Sequence, residues 1–384
     1  MKAICDRGAL LDAVNMVSGV VPNRTPRPQL SCIRLHAGRH GGGGLLTLSA
    51  TDAEISIRLS TTQVDVSEEG DVLIPADKLK QIVSAEDGEP TLTLEASGDA
   101  CEIRGADATF KVYGYPASEF PSLPEMPRDG GSRFTISAEA FRQLISRTIF
   151  STARENSRYA INGVLLRRTG KKLEMVATDG RRLALARGSA DPADGAPDET
   201  LCIIPTKALN MAARLVAGSA GDVTVAISDN QVIFAFEEED ELPGTVLTSN
   251  LVEGSFPPYE DVIPKDQDKK ASFDVDVLSS AVRRAALLTN EESRGVSMAF
   301  SSSDGNRLTL SSRAPEMGEA EIKVDMASYD GGDVTIGFNP SFITDALKVI
   351  DDRNVTLELK APNKPGLIRS GNDFLYVVMP VNLK

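Results

Sequence analysis

Apolar residues recur at helical spacing in three well-separated places along the chain, each behind a short alternating run. One such segment opens near Asp6. A second opens near Ser137 and sets Phe141, Leu144, Ile145 and Ile149 on one stripe. A third opens near Asp276 and does the same with Val277, Ala281, Ala285 and Leu288. Each third of the chain then holds another helical segment beside a proline: Pro75-Ala-Asp-Lys-Leu79, Pro205-Thr-Lys-Ala-Leu209 and Asn339-Pro-Ser-Phe-Ile343. Proline is tolerated at a first helical position, where the N–H it lacks has no partner, so these read as helix starts. The six predicted helices span 6–18, 75–85, 137–152, 205–217, 276–289 and 339–350.

Between them the pattern shifts to period two. Thr91-Leu-Thr-Leu94, Val223-Thr-Val-Ala-Ile227 and Val355-Thr-Leu-Glu-Leu359 predict antiparallel strands with one buried face. Leu46-Thr-Leu-Ser-Ala-Thr-Asp52 is echoed by Leu173-Glu-Met-Val-Ala-Thr-Asp179, and weakly by Leu308-Thr-Leu-Ser-Ser312. Matching helix starts recur every 130 to 139 residues, an internal threefold repeat. Two polar joints separate the copies, Glu125-Met-Pro-Arg-Asp-Gly-Gly-Ser132 and Pro264-Lys-Asp-Gln-Asp-Lys-Lys270, each behind a Phe-Pro pair (Phe120-Pro121, Phe256-Pro257). The expected fold class is α+β: three repeated domains over 1–126, 133–262 and 271–384, each with two helices packed on antiparallel sheets.

Composition narrows the function. A chain of 384 residues, 41% apolar and 25% charged, suits two or three soluble globular domains. It has no run near the roughly 20 apolar residues of a spanning helix, and Asp6 and Arg7 sit where a secretory signal would be apolar, so a cytoplasmic protein with no membrane partner is expected. Cys5, Cys32, Cys101 and Cys202 lack metal spacing and read as reduced, buried residues. The only histidines, His36 and His40, flank the Gly41–Gly44 run, which reads as a hairpin tip, and they argue against a His-based triad or multi-histidine metal site. No phosphate loop or dinucleotide fingerprint occurs, and no cofactor is expected. Asp52 and Asp179 hold matching places in two repeats, which favours a turn role over a paired acid–base site. Glu237–Glu241 reads as a solvated acidic loop.

The net charge of −14 argues against a polyanion partner until its distribution is read. The predicted helices carry ten basic residues against six acidic ones, so they sum to +4 and the rest of the chain to −18. At about 100° per residue, Arg147, Lys207, Arg214, Arg283 and Lys348 oppose their apolar stripes, while Lys78 and Lys80 flank theirs. A basic helical surface on an acidic protein would confine a polyanion to one face.

Several motifs then become specific. Tyr376-Val-Val-Met-Pro380, Ala177-Thr-Asp-Gly-Arg-Arg-Leu183, Arg158-Tyr-Ala-Ile-Asn-Gly163, the Gly19–Arg24 turn, Phe256-Pro-Pro-Tyr259 and Ile336-Gly-Phe-Asn339 together resemble the bacterial sliding-clamp family, the β subunit of DNA polymerase III. The resemblance implies a head-to-tail homodimeric ring of DNA-clamp domains around duplex DNA, bound without base reading, and no enzyme activity. It implies partners (a clamp loader, the replicative polymerase and repair proteins) that bind through short linear motifs in a groove between the second and third domains. The groove residues carried over are Ile161, Thr178, Gly180, Arg181, Arg182, Leu183, Pro257, Val262, Ser341, Val377, Val378, Met379, Pro380 and Val381. The expected DNA contacts are Arg24, Lys78, Lys80, Arg142, Arg147, Lys207, Arg214, Arg283, Arg284 and Lys348. The expected ring joint comprises Phe110, Val112, Leu287 and Leu288, with Lys78 facing Glu316 or Glu319. The ending Met379-Pro-Val-Asn-Leu-Lys384 departs from the family's Met-Pro-Met-Arg-Leu, and Asp261 precedes the groove valine, so a shifted motif preference is expected. The rival readings are a peptide-binding scaffold that never encircles DNA and a hydrolase using Asp52 or Asp179.

Overall fold

The computed structural model describes residues 1–127, 132–153, 159–217, 220–236, 244–289, 295–303, 305–315 and 317–383. Among these are six α-helices: α1 (Arg7–Val17), α2 (Ala76–Ala85), α3 (Ala138–Thr148), α4 (Thr206–Leu215), α5 (Val275–Ala285) and α6 (Pro340–Leu347). All lie where the apolar spacing puts them. Their starts are set locally: Asp6, Asp274 and Asn339 turn side-chain oxygens back onto the first free N–H groups of α1, α5 and α6. Pro340 is the first residue of α6. Pro75 and Pro205 instead end the preceding strands, one position before α2 and α4, so in these two repeats the proline closes a strand rather than opening a helix.

The chain forms two compact units. The first comprises Met1–Phe141, Asp191–Pro197 and Lys207–Leu251; the second comprises Arg142–Ala190, Asp198–Thr206 and Val252–Lys384. Within each unit a nine-stranded antiparallel sheet crosses from one repeat into the next. In the first, Thr245–Asn250 pairs with Ile55–Thr61, with Val246 opposite Arg58. In the second, Arg182–Ser189 pairs with Phe374–Val378, with Leu183 opposite Val377. Edge strands that pair this way satisfy backbone groups that would otherwise be left open. The repeats are therefore continuous through their sheets as well as through the polar joints. A five-stranded sheet completes the first unit, ending on the edge strand Thr109–Tyr113. A four-stranded sheet completes the second, ending on Gly318–Asp325.

In the second unit, Leu278, Ala281, Val282 and Ala285 of α5 and Ile343, Ala346 and Leu347 of α6 bury against Phe273, Phe300 and Phe338. Ala281 and Ala285 of the predicted α5 stripe are buried, but Val277 is half exposed, and Val275, Leu278 and Val282 complete the buried face instead. The polar second joint is also shorter than its composition suggests, since Lys269 and Lys270 already belong to the strand Lys269–Asp274. In the first unit, Gly41 and Gly42 form the tip of the hairpin with φ +58° and +86°, backbone that glycine adopts without a Cβ penalty. All four thiols are buried. Among the described residues no helix is long and apolar enough to cross a membrane, and no His, Cys, Asp and Glu group is placed to hold a metal. The acidic run 237–241 lies outside the described residues.

Candidate functional site

Asp52 and Asp179 each sit in the same four-residue turn, one in each unit. Asp52 Oδ1 accepts the N–H groups of Glu54 and Ile55, while Thr51 Oγ1 accepts from Ala53 and donates to the Ile55 carbonyl. Asp179 Oδ1 accepts the N–H groups of Arg181 and Arg182, while Thr178 Oγ1 accepts from Gly180 and donates to the Arg182 carbonyl. Both carboxylates thus build turns, and each spends its other oxygen on a cation. Asp52 pairs with Lys207 at the start of α4. Asp179 Oδ2 accepts from Arg182 Nε at 3.1 Å.

Arg182 goes further. Its side chain is only 11% exposed, and it donates to Asp345 Oδ2 on α6 at 2.8 Å and to the Phe150 carbonyl at 2.8 Å. The guanidinium lies over the Phe342 ring at 4.5 Å and the Phe150 ring at 5.5 Å. Desolvation opposes its charge, but the hydrogen bond to Asp345 and the neighbouring Tyr376 and Asp179 outweigh that and raise its pKa. Burial likewise pushes the Tyr376 phenol well above its usual range.

The ladder around this arginine gathers the motif residues. Leu183 lies opposite Val377 and Arg182 opposite Val378, and the pairing runs on as Met379 N–H donates to the Arg181 carbonyl at 2.9 Å. Val381 N–H then donates to Gly337 at 2.8 Å; a Cβ on Gly337 would sit 2.6 Å from Leu383, so the tail packs on bare backbone there. Asn339 caps α6 through the N–H of Ser341. The Phe256–Ile263 segment covers the sheet, since Phe256, Tyr259 and Ile263 pack with Leu183, Leu375 and Val377. Ile161, Thr178, Leu183, Val377 and Val378 are buried, while Gly180, Arg181, Pro257, Val262, Ser341, Met379, Pro380 and Val381 keep exposed surface. All fourteen predicted residues lie within the second unit, and backbone pairing and turn hydrogen bonds join Thr178, Gly180, Arg181, Arg182, Leu183, Val377, Val378 and Met379. Sequence reading missed Asp345, Phe342 and Phe150, the groups that hold Arg182 in place. A carboxylate and an aromatic on α6 carry no signal until the register of Arg182 is known.

Of the helical cations expected to contact DNA, Lys78, Lys80, Arg142, Lys207, Arg214, Arg283, Arg284 and Lys348 are exposed, as is Arg24 in the loop after α1. Arg147 is the exception, at 7% exposure: its guanidinium lies 5.8 Å from the Phe374 ring centroid and 3.9 Å from Asp351. The last turn of α3 is covered on a second side by Phe374, so its outer face is not solvated there, and Arg147 is withdrawn from the basic surface. Near the edge strands, Phe110 is half-buried and Val112 buried on Thr109–Tyr113, with Tyr113 exposed. Leu287, in the 3-10 turn Ala286–Leu288 after α5, is 76% exposed. Leu288 is half-buried, and Met317 is exposed beside the Gly318–Asp325 strand. Glu319 pairs with Arg313 at 3.1 Å; Glu316 lies outside the described residues.

Known proteins resemble this chain along its whole length. Family models for the N-terminal, central and C-terminal domains of the DNA polymerase III beta subunit match residues 1–124, 135–258 and 260–382. The chain is 33% identical over 385 residues to the beta sliding clamp of Pseudomonas aeruginosa and 31% identical to that of Escherichia coli K12, each over 100% of both chains. It superposes over 100% of both chains on the crystal structure of the Pseudomonas aeruginosa sliding clamp bound to griselimycin, with a TM-score of 0.89 and 32% identity. The Bacillus subtilis clamp structure, at 24% identity and a TM-score of 0.88, shows the same fold. With all three domain models matched in order and full-length relatives above 30% identity, the chain belongs to the DNA polymerase III beta subunit family, the bacterial sliding clamps.

Proposed function

We propose that the clamp function of this chain rests on three surfaces, carried on three clamp domains spanning 1–126, 133–262 and 271–384 in a cytoplasmic protein. The first is a basic wall of helical cations, Lys78, Lys80, Arg142, Lys207, Arg214, Arg283, Arg284 and Lys348, with Arg24 from its loop. It faces duplex DNA inside a homodimeric ring. The observation that carries this is the exposure of eight of the nine helical cations expected to contact DNA, on a protein of net charge −14. Long side chains of this kind contact phosphates without reading bases, which lets a closed ring slide while an attached polymerase stays on its template.

The second surface is the partner groove of the second unit, where Val262 and Met379 offer apolar anchors and Arg181 a charged rim. The third is the ring joint, where the edge strand carrying Phe110 and Val112 meets the Leu287–Leu288 turn of a second copy. The clamp hydrolyses nothing itself; a separate loader opens it. Retention on nicked circular DNA that disappears on linearisation tests the ring. Retention that survives linearisation, or none at all, would leave only a peptide-binding scaffold. Removing Met379–Lys384 is expected to abolish binding of partner peptides with the fold intact, and undiminished affinity would overturn the groove.

A further inference from the structure

Side chains alternate faces along a strand, so Leu183, Leu185 and Arg187 share one face of Arg182–Ser189. Leu183 and Leu185 are buried with Leu375 and Val377. Arg187 carries the row beyond that core to the wall of a cavity of about 600 Å³. Four cations from separate parts of the second unit line it: Arg187, Arg369 and Lys270 from three strands and Lys265 from the segment entering the third repeat. A single carboxylate, Glu358, lines it with them. Arg369 Nε pairs with Glu358 at 3.2 Å, Lys270 lies 3.9 Å from the same group, and Arg187 Nε is held by Glu174 at 2.8 Å. Lys265 makes no ion pair among the described residues. On a chain of net charge −14, this is a pocket of concentrated positive charge that neither the DNA wall nor the groove accounts for.

We propose that this cavity receives an acidic segment of a protein partner, its carboxylates seated against Lys265, Lys270, Arg187 and Arg369. A site for a compact phosphate is ordinarily built from converging backbone N–H groups, at a helix start or a glycine-rich nest. Here Pro264 has no N–H to give, and the side-chain amide of Gln267 is spent on the carbonyls of Glu358 and Pro365. What remains is a set of separate long side chains, three of them rooted on every second strand of the sheet and so about 9.6 Å apart. Carboxylates distributed along an extended peptide, about 3.3 Å per residue, match that spread better than one dense anion. The proposal goes beyond the groove reading and stands without it.

The test uses the full chain and fluorescein-labelled hexaglutamate at low salt, with hexaglutamine as the uncharged control and inorganic tripolyphosphate as competitor. Binding is read by fluorescence anisotropy. The intact protein is expected to bind hexaglutamate and not hexaglutamine. A Lys265→Glu/Lys270→Glu variant, changed at two exposed positions, is expected to bind at least tenfold more weakly while its retention on nicked circular DNA is unchanged. A Lys207→Glu/Arg214→Glu variant is expected to lose DNA retention and keep hexaglutamate affinity, so failure of the cavity and failure of the clamp reading are told apart. Equal binding of hexaglutamine, or full affinity in the Lys265→Glu/Lys270→Glu variant, would overturn the proposal. So would displacement by tripolyphosphate below the hexaglutamate concentration, which would mark a small-phosphate site instead.

Discussion

Arg182 is held by two carboxylates, a backbone carbonyl and two aromatic faces, so its removal strands charge that water reaches poorly. Breaking a pair of this kind from one side costs about 3 kcal/mol, because the abandoned carboxylates stay desolvated. Arg182→Met is therefore expected to lower the urea midpoint by about that free energy with the slope unchanged; an unaltered midpoint would show the network to be decorative. The thiols make a second case. Burial pushes Cys5 and Cys202 up to about 12 and Cys32 and Cys101 up to about 11. The thiolate is the reacting form, so at pH 8 the native protein is expected to resist a disulfide reagent that labels all four cysteines in urea. Prompt labelling of the native chain would contradict that burial.

Helices here are fixed at their ends by short-range chemistry. Asp274 accepts the N–H groups of Val277 and Asp276 and faces Arg353, and the Val277 hydrogen bond leads in holding its carboxyl below the usual range. A carboxylate with a depressed folded pKa stabilises above its unfolded value, and that support is lost as pH falls through the folded one. Asp274→Ala is thus expected to melt lower at pH 7 and to show a flatter fall in melting temperature between pH 5 and pH 3, by circular dichroism. Parallel pH profiles for the two proteins would exclude the cap as the source. The turns at Asp52 and Asp179 show the same economy: one carboxylate orders the turn and reaches across to the next repeat, to Lys207 in one case and through Arg182 to Asp345 in the other.

Assembly is expected to use what the edges leave exposed. Leu287 is an apolar side chain 76% in solvent, and Met317 is exposed next to an unpaired sheet edge, the kind of surface that marks an interface. Leu287→Asp is expected to give monomers by light scattering and to abolish retention on nicked circles. A dimeric mass for this variant would place the joint elsewhere. In contrast, Arg147→Ala is expected to leave the salt dependence of DNA retention unaltered, because the side chain is withdrawn beneath Phe374, while Arg214→Ala reduces it.

The six helices, the threefold repeat, the hairpin at Gly41–Gly42 and the sorting of charge onto helices were all legible in the residue order. Each depends on neighbours within a turn or two, where periodicity, caps and turn residues act directly. The groove residues were named through resemblance, and they all fall within the second unit. Three things waited for the three-dimensional arrangement. Arg147 faces away from its own helix's core, yet a second core element, Phe374, covers it. Asp345, the carboxylate on α6 that holds Arg182, lies 163 positions away in sequence. The cavity draws Arg187, Lys270 and Arg369 onto one face through strand register and adds Lys265 from the segment before the third repeat's first strand. Local chemistry decides which elements form; long-range packing decides which side chains meet and which of them water can still reach.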